Sequence, residues 1–158
     1  MSLVTDHLQR HGVAFETIPH SQAYTSIDEA KALGIDADEV LKIVVLDTEA
    51  GHALVVVPGG RRLDMKLVKK AVADKHVHLA TEEEVERDFP DYELGTLPPL
   101  GSALGAPTFV DPEVLDHDTV VFAAGVQTES VKVRTADLFK DEPVTVLPLT
   151  RQPPEAGT

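Results

Sequence analysis

The stretch VLKIVVL, from Val40 to Leu46, decides the fold together with HALVVV, from His52 to Val57. Both runs are short, apolar and rich in β-branched residues, which is typical of β-strands. Residues 47–51, DTEAG, lie between them and have the composition of a turn. The two runs therefore predict a β-hairpin, which the sequence PGG at residues 58–60 ends.

One charged residue, Lys42, interrupts the first of these strands. Because side chains alternate along a strand, Lys42 shares one face with Val44 and Leu46, while the other face is also apolar. We therefore expect this strand to be central in its sheet. Desolvating an ammonium group is costly, so an acid, a cleft or a ligand must compensate Lys42, unless its side chain extends to water near the strand start. The residues alone leave a functional and a purely structural lysine equally open.

A rigid loop, GTLPPLG, runs from Gly95 to Gly101. Its prolines fix φ and donate no hydrogen bond, and its glycines permit positive φ and close backbone approach. Such a loop can hold backbone groups in a preset arrangement toward a ligand. A tight connection stiffened by proline is the simpler interpretation of the loop taken by itself.

The rest of the chain alternates short helical and strand patterns. Periodicity and capping signals predict helices at residues 2–11, 26–33, 63–72, after Thr81, and at 136–139. Further strands are predicted at residues 13–18, 77–79, 108–110, 119–124, 130–134 and 144–147. Hairpins mixed with helices favour an α+β fold, with a single mixed, mainly antiparallel β-sheet flanked by helices. We expect one domain over residues 1–150 and a disordered, Pro- and Gly-rich tail over residues 151–158.

Composition narrows the function classes. The chain has 158 residues, a net charge of -13 and no cysteine, which excludes disulfides, thiolate metal sites and cysteine nucleophiles. No apolar run approaches the length of a membrane span and no secretory signal is visible, so we expect a cytoplasmic protein without membrane contact. The acidic balance argues against a protein that coats DNA or RNA.

Positive charge is nevertheless concentrated in one segment, residues 61–75. Its basic residues are Arg61, Arg62, Lys66, Lys69, Lys70 and Lys75. This segment suits contact with a small part of a polyanion, and a solvated helix face is the alternative.

The seven histidines predict no metal site. His7 with His11, and His76 with His78, are spaced to share a face, but neither pair has an obvious third ligand. His20 follows a strand in a polar loop, where functional residues often lie. Serine-hydrolase, P-loop and dinucleotide-binding motifs are absent from the sequence, and we expect no metal and no cofactor.

The order and spacing of several segments resemble one family. They are PHSQAYTSIDEAKALG, VLKIVVL, ALVVVPGGRRLD, LATEEEVERDFPDYELGTLPPLG, PTFVD and VVFAAG. Over roughly residues 15–140 the chain resembles the YbaK/EbsC family, the free-standing relatives of the editing domain inserted in bacterial prolyl-tRNA synthetases.

The resemblance implies a trans-acting aminoacyl-tRNA deacylase, which hydrolyses the ester of mischarged tRNA with water as the nucleophile. The family's lysine corresponds to Lys42 and its glycine-to-proline loop to Gly95–Pro99, so Lys42 and Gly95 are the implied catalytic residues. The implied substrate-binding residues are His20, Thr96, Leu97, Pro98, Pro99 and Gly125. Arg61, Arg62, Lys66, Lys69 and Lys70 would then contact the acceptor stem. The implied partners are the 3′ aminoacyl end of tRNA and an aminoacyl-tRNA synthetase.

Two departures from the family pattern leave the substrate open. Many relatives have Thr or Asn after the lysine, where this chain has Ile43, and the loop reads GTLPP rather than GGxSP or GHxTP. The absence of a convincing protein base suggests that the substrate's own 2′-OH or α-amino group assists. The alternative function is a non-catalytic module that binds an aminoacyl or nucleotide ligand as a synthetase partner.

Overall fold

The computed structural model describes residues 2–151. Its helices α1 to α6 are Leu3–Arg10, Ser26–Leu33, Met65–Val72, Glu82–Asp88, Gly101–Leu104 and Thr135–Phe139. Its strands β1 to β8 are Phe15–Pro19, Leu41–Thr48, Gly51–Pro58, His78–Leu79, Thr108–Val110, Thr119–Ala123, Glu129–Arg134 and Val144–Val146. Two 3-10 turns, Ala37–Glu39 and Pro112–Asp116, and the short helix α5 were not predicted.

The strands form two sheets where we expected one. The larger sheet has the order β4-β2-β3-β5-β8, and the smaller has the order β1-β7-β6. Pairings β3–β5 and β5–β8 are parallel and the others are antiparallel. A bridge between Val40 and Val121 connects the sheets. The α+β class with mixed, mainly antiparallel pairing is thus confirmed.

The helix ends follow the capping signals of the sequence. Thr25 caps α2 through its side chain, and Gly34 ends this helix in the left-handed conformation. Thr81 and Glu84 form a capping box at the start of α4. Helix α3 begins at Met65 rather than at residue 63 because the Asp64 side chain accepts the Lys66 N–H and caps it.

Strand β2 packs into a different core on each face, as the alternation of its side chains predicted. Leu46 lies with Val57 and with Val68 of α3. Leu41, on the other face, lies with Phe122. The two apolar faces of the VLKIVVL stretch are both used.

The expectation of a central strand is correct for only part of β2. Strand β3 pairs with it along its whole length, but β4 pairs only with Leu46 and Asp47. The Val45 carbonyl accepts the Ala80 N–H at 2.9 Å, and α4 then begins at Glu82. The first half of β2, which carries Lys42, therefore has an open edge.

Within residues 2–151, no helix is both long and apolar enough to span a bilayer. The predicted disordered tail lies outside the described residues except for Arg151, whose N–H donates to the Arg62 carbonyl at 2.8 Å.

Candidate active site

A cavity of about 300 Å³ lies along the open edge of β2. Five parts of the chain form it: the start of α2 with the two residues before it, the first half of β2, the connection from β4 into α4, the loop around Gly95, and the end of β6. The lining residues are 24–26, 29, 41–45, 79–80, 82, 85, 94–95, 97 and 123.

Lys42 lines this cavity and is half-buried. Its Nζ donates to the Arg61 carbonyl oxygen at 2.9 Å, and burial lowers the pKa of its ammonium group. Within residues 2–151 no carboxylate forms an ion pair with it. Because an ammonium has three donors, two remain to bind an anionic or carbonyl oxygen.

The β2 backbone also presents polar groups to the cavity. The Val40 carbonyl accepts the Gly59 N–H, and β3 runs antiparallel to β2. The backbone groups of every second residue from Val40 therefore bond to β3, while those of the intervening residues point to the opposite edge of β2. Ile43 is one of these intervening residues, and it lines the cavity beyond the end of β4. Its side chain packs in the core, so the backbone N–H and C=O are what Ile43 offers a ligand.

Gly95 holds the loop against the start of α2. Its φ is +79°, and a Cβ at this position would overlap the backbone carbonyl oxygen of Tyr24. Thr96 points away from the cavity, since its hydroxyl donates to the Glu93 carbonyl at 2.6 Å. The loop therefore contributes Gly95 and Leu97 to the cavity, whereas Thr96, Pro98 and Pro99 are buried behind it.

Gly125 and Gln127 hold this loop from behind. The Gly125 carbonyl accepts the Glu93 N–H at 3.2 Å, and the Glu93 side chain accepts the Gln127 N–H at 2.8 Å. The Gln127 side chain donates to the Leu94 carbonyl at 2.9 Å. Gly125, predicted as part of the pocket wall, does not line the cavity but fixes the loop that does.

His20 belongs to a buried chain of hydrogen bonds that reaches the cavity at Glu29. The His20 Nε2 lies 2.8 Å from the Ser130 Oγ, and its Nδ1 lies 2.7 Å from the Ser21 carbonyl oxygen. The Ser130 hydroxyl donates to Glu29 Oε2. Glu29 is 5% exposed and lines the cavity, and burial raises its pKa, against the opposing effects of Ser130 and His20. His20 thus lies behind the cavity wall, two hydrogen bonds from the ligand space.

A charged cluster fastens α4 to the hairpin. His52 Nε2 lies 2.7 Å from Asp88 Oδ2, and His52 Nδ1 lies 2.8 Å from Asp47 Oδ1 at an angle too poor for a hydrogen bond. Burial lowers the pKa of His52, but the Asp88 hydrogen bond and the two carboxylates outweigh it, so the pKa is raised. Since Glu82 and Val85 of α4 line the cavity, this cluster fixes one of its walls.

The basic segment lies partly near Lys42 and partly far from it. The Arg61 guanidinium pairs with Glu113 at 3.2 Å and with Asp38 at 3.7 Å, so its charge is already compensated. Arg62, Lys66, Lys69 and Lys70 are exposed. Lys69 and Lys70 border a recess beside Glu49, at the hairpin turn. Six strand residues separate Lys42 from this turn, and at about 3.3 Å per residue they span roughly 20 Å.

The histidine pairs do not converge with other ligands. His7 and His11 stack with ring centroids 4.2 Å apart, and His78 contacts Asp47 at 3.4 Å. Among residues 2–151, no group of three His, Asp or Glu side chains is placed to hold a metal ion.

Comparison with known proteins places this geometry in a family. The model of the aminoacyl-tRNA editing domain matches residues 20–140, which include every residue that lines the cavity. The chain belongs to the aminoacyl-tRNA editing domain family. The resemblance drawn from the order of the sequence segments is confirmed.

Two curated relatives of this editing domain are similar to parts of the chain. A protein of Enterococcus faecalis, provisionally named Cys-tRNA(Pro)/Cys-tRNA(Cys) deacylase EbsC, is 28% identical over 97 residues, 61% of this chain and 58% of that protein. The proline–tRNA ligase of Thermosipho melanesiensis is 28% identical over 83 residues, 52% of this chain and 14% of the ligase. The chain thus spans less than two thirds of the length of either relative.

Solved structures share the fold over nearly the whole chain. A protein provisionally described as a trans-editing enzyme for prolyl tRNA synthetase matches with a TM-score of 0.80 and 25% identity, covering 94% of this chain and 95% of that one. A hypothetical protein matches with a TM-score of 0.84 and 23% identity, covering 94% and 99% of the two chains. The second likeness concerns the fold alone.

Among the cavity residues that sequence reasoning missed, Tyr24 and Glu29 bear most on the chemistry of the site. Tyr24 is 53% exposed at the cavity mouth, and an exposed tyrosine in a polar loop gives no signal before its surroundings are known. Glu29 did leave a signal, because helical spacing puts it on the same face as Leu33, which packs with Ala30 and Val40. A carboxylate beside the apolar residues of a short helix indicates a buried partner or a site.

Proposed function

We propose that this editing domain is a trans-acting aminoacyl-tRNA deacylase that hydrolyses the ester of mischarged tRNA. The observation that carries the proposal is Lys42, a half-buried ammonium with no carboxylate partner among the described residues, on the same cavity as Gly95. A cavity with an uncompensated cation and close backbone groups suits a ligand that is anionic at one end and carries an ester at the other.

Lys42 binds the 3′-terminal phosphate of the tRNA or an oxygen next to the ester. The Arg61 carbonyl orients the ammonium but leaves its full charge for the ligand. A charge-assisted hydrogen bond of this kind contributes about 1.5–3 kcal/mol.

Backbone groups orient the aminoacyl carbonyl. Gly95 and the open edge at Ile43 lie on the same cavity, and a backbone N–H directed at the carbonyl oxygen stabilises the oxyanion that forms when water attacks. Neither group moves readily, since Gly95 packs against Tyr24 and Ile43 belongs to a paired strand. Water is the nucleophile in this arrangement.

Tyr24 stacks on the terminal adenine. Its ring is exposed at the mouth of the cavity, and its backbone carbonyl lies against Gly95, so the backbone that carries the ring is held next to the cavity wall. Stacking of a base on an aromatic side chain contributes about 1–3 kcal/mol to binding and does not depend on the identity of the base.

The substrate is a tRNA carrying a small amino acid. The cavity of about 300 Å³ must hold the aminoacyl group and part of the ribose, which leaves little room for a large side chain. The names of the relatives point to cysteine and to tRNA(Pro), so Cys, Ala and Ser esters are the first candidates.

The test is deacylation of a panel of mischarged tRNAs by the wild type and Lys42→Ala, with Lys132→Ala as a control for an exposed lysine. We expect cleavage of one or a few species, lowered at least tenfold in kcat/KM by Lys42→Ala and unchanged by Lys132→Ala. If the wild type binds the tRNAs without cleaving any of them, the protein is instead a binding module, and a synthetase becomes the partner to seek.

A further inference from the structure

Three hydrogen bonds involve the side chains of His20, Ser130 and Glu29. If His20 is neutral and Glu29 is ionised, these side chains carry one hydrogen fewer than the three hydrogen bonds need. The Ser21 carbonyl can only accept, so His20 Nδ1 carries a hydrogen. The Ser130 hydroxyl has a single hydrogen, which it gives to Glu29. The contact between His20 Nε2 and Ser130 Oγ at 2.8 Å then needs a hydrogen on Nε2, which makes His20 an imidazolium.

The alternative arrangement is complete as well. If Glu29 is protonated, it donates to Ser130, Ser130 donates to His20 Nε2, and His20 is neutral. The two arrangements differ only in the position of one proton along three side chains. In the first arrangement Glu29 is ionised, so it can take up a proton from the cavity on Oε1 while Oε2 still accepts the Ser130 hydroxyl.

We propose that Glu29 is the proton-transfer residue of the deacylation, and that Ser130 and His20 position it and set its basicity. This inference rests on the proposed function. Glu29 lines the cavity, and its Oε2 is engaged by Ser130, so Oε1 is the oxygen left for the substrate side. Glu29 is 5% exposed, so its carboxyl group is largely withdrawn from bulk solvent.

The proton balance of the step is as follows. A water molecule attacks the aminoacyl carbonyl carbon, a C–O bond forms, and the water proton moves to Glu29 Oε1. The tetrahedral intermediate collapses, the bond to the ribose oxygen breaks, and the Glu29 carboxyl returns the proton to that oxygen. Free amino acid and tRNA leave, and Glu29 is again ionised.

The first test compares Glu29→Gln with Glu86→Gln, at an exposed carboxylate that does not line the cavity. General base catalysis contributes about 10²–10⁴-fold, so we expect Glu29→Gln to lower the single-turnover rate at least a hundredfold with KM within threefold. Glu86→Gln should stay within threefold of the wild type in both constants. Glutamine keeps an oxygen for the Ser130 hydroxyl, and an unchanged unfolding midpoint confirms an intact fold.

The second test is the pH profile of kcat/KM for Ser130→Ala and His20→Gln. Ser130 and His20 both lower the pKa of Glu29, so their removal should move the acidic limb of the profile to higher pH. The other ionisable groups on the cavity are Tyr24, Lys42 and Glu82. All three are retained in both variants, so a shift of this limb identifies Glu29.

Several outcomes overturn the inference. A Glu29→Gln rate within threefold of the wild type removes the proton-transfer role. A raised KM with unchanged kcat, which disappears with N-acetylated substrate, makes Glu29 a binding site for the α-ammonium group. A tRNA ending in 2′-deoxyadenosine should be cleaved within threefold of the normal rate; loss of cleavage would assign the proton to the 2′-OH. If the wild type cleaves no ester at all, the proposed function fails first.

Discussion

The backbone carbonyl oxygen of Tyr24 occupies the space that a Cβ on Gly95 would need. The contact joins the loop before α2 to the Gly/Pro loop, two segments about seventy residues apart in the chain. It holds the backbone of Tyr24, at the cavity mouth, against the backbone of Gly95, at the cavity wall.

Gly95→Ala should therefore damage the site more than the fold. Alanine must adopt φ near +79° and also displace Tyr24, so we expect kcat/KM to fall at least tenfold. Gly12→Ala is the matched control, because Gly12 also has positive φ, at +70°, but open space around it. It should cost about 1–2 kcal/mol of stability and leave kcat/KM unchanged. Equal activity losses in the two variants would contradict a specific role for the Gly95–Tyr24 contact.

Tyr24→Ala should weaken binding without slowing the chemical step. Loss of one stacked base corresponds to about 1–3 kcal/mol, so KM should rise roughly 5- to 150-fold at constant single-turnover rate. Tyr24→Phe keeps the ring and should resemble the wild type. If the phenylalanine variant is as impaired as the alanine variant, the hydroxyl rather than the ring carries the effect.

The basic residues at the hairpin turn should contribute to the binding of full-length tRNA but not of short substrates. Lys69→Glu with Lys70→Glu should raise KM for full-length tRNA at low salt, because these residues lie roughly 20 Å from Lys42 by strand length. A short aminoacylated oligonucleotide ending in CCA should show no change. The matched control, Lys132→Glu with Lys140→Glu, alters the net charge equally elsewhere. Similar KM changes in both pairs would indicate a general charge effect and remove the patch from the model.

Stability should depend on His52 in a defined pH window. Because the pKa of His52 is raised in the folded state above its ordinary value of 6.5, the protonated form stabilises the fold. That contribution is fully present below pH 6.5 and is lost as pH rises through the folded-state pKa. The difference in free energy of unfolding between the wild type and His52→Gln should therefore shrink from pH 5.5 to pH 8.5, as measured by urea denaturation. A difference that stays constant between pH 5.5 and pH 8.5 would contradict a stabilising role for protonated His52.

The hairpin, the capped helices and the mainly antiparallel pairing could be predicted because each is encoded in neighbouring residues. The alternation around Lys42 gave the two faces of β2, and Thr25, Gly34 and Thr81 gave the ends of helices. The division into two sheets was not predictable, since it depends on the isolated bridge that joins Val121 of β6 to Val40, the residue before β2. Local patterns carry no information about how far two distant strands run together.

For the site, Lys42, Gly95 and Leu97 lie on the cavity, and the other residues predicted to bind the aminoacyl end lie behind its wall. His20 and Gly125 illustrate the difficulty, because each lies next to a cavity residue in space but contacts it through hydrogen bonds. The role of Glu29 depends on Ser130, a hundred residues later in the chain. No spacing rule relates two such positions.

The short strand β4 has a consequence for how such a protein could be inhibited. If β4 continued in register past Ala80, Glu82 would pair with Ile43 and close the edge that the cavity uses. The capping box at Thr81 prevents this by starting a helix. The open edge of β2 could therefore bind a competitive inhibitor. A short extended peptide that pairs with β2 between Leu41 and Val45 would complete the sheet and exclude the substrate.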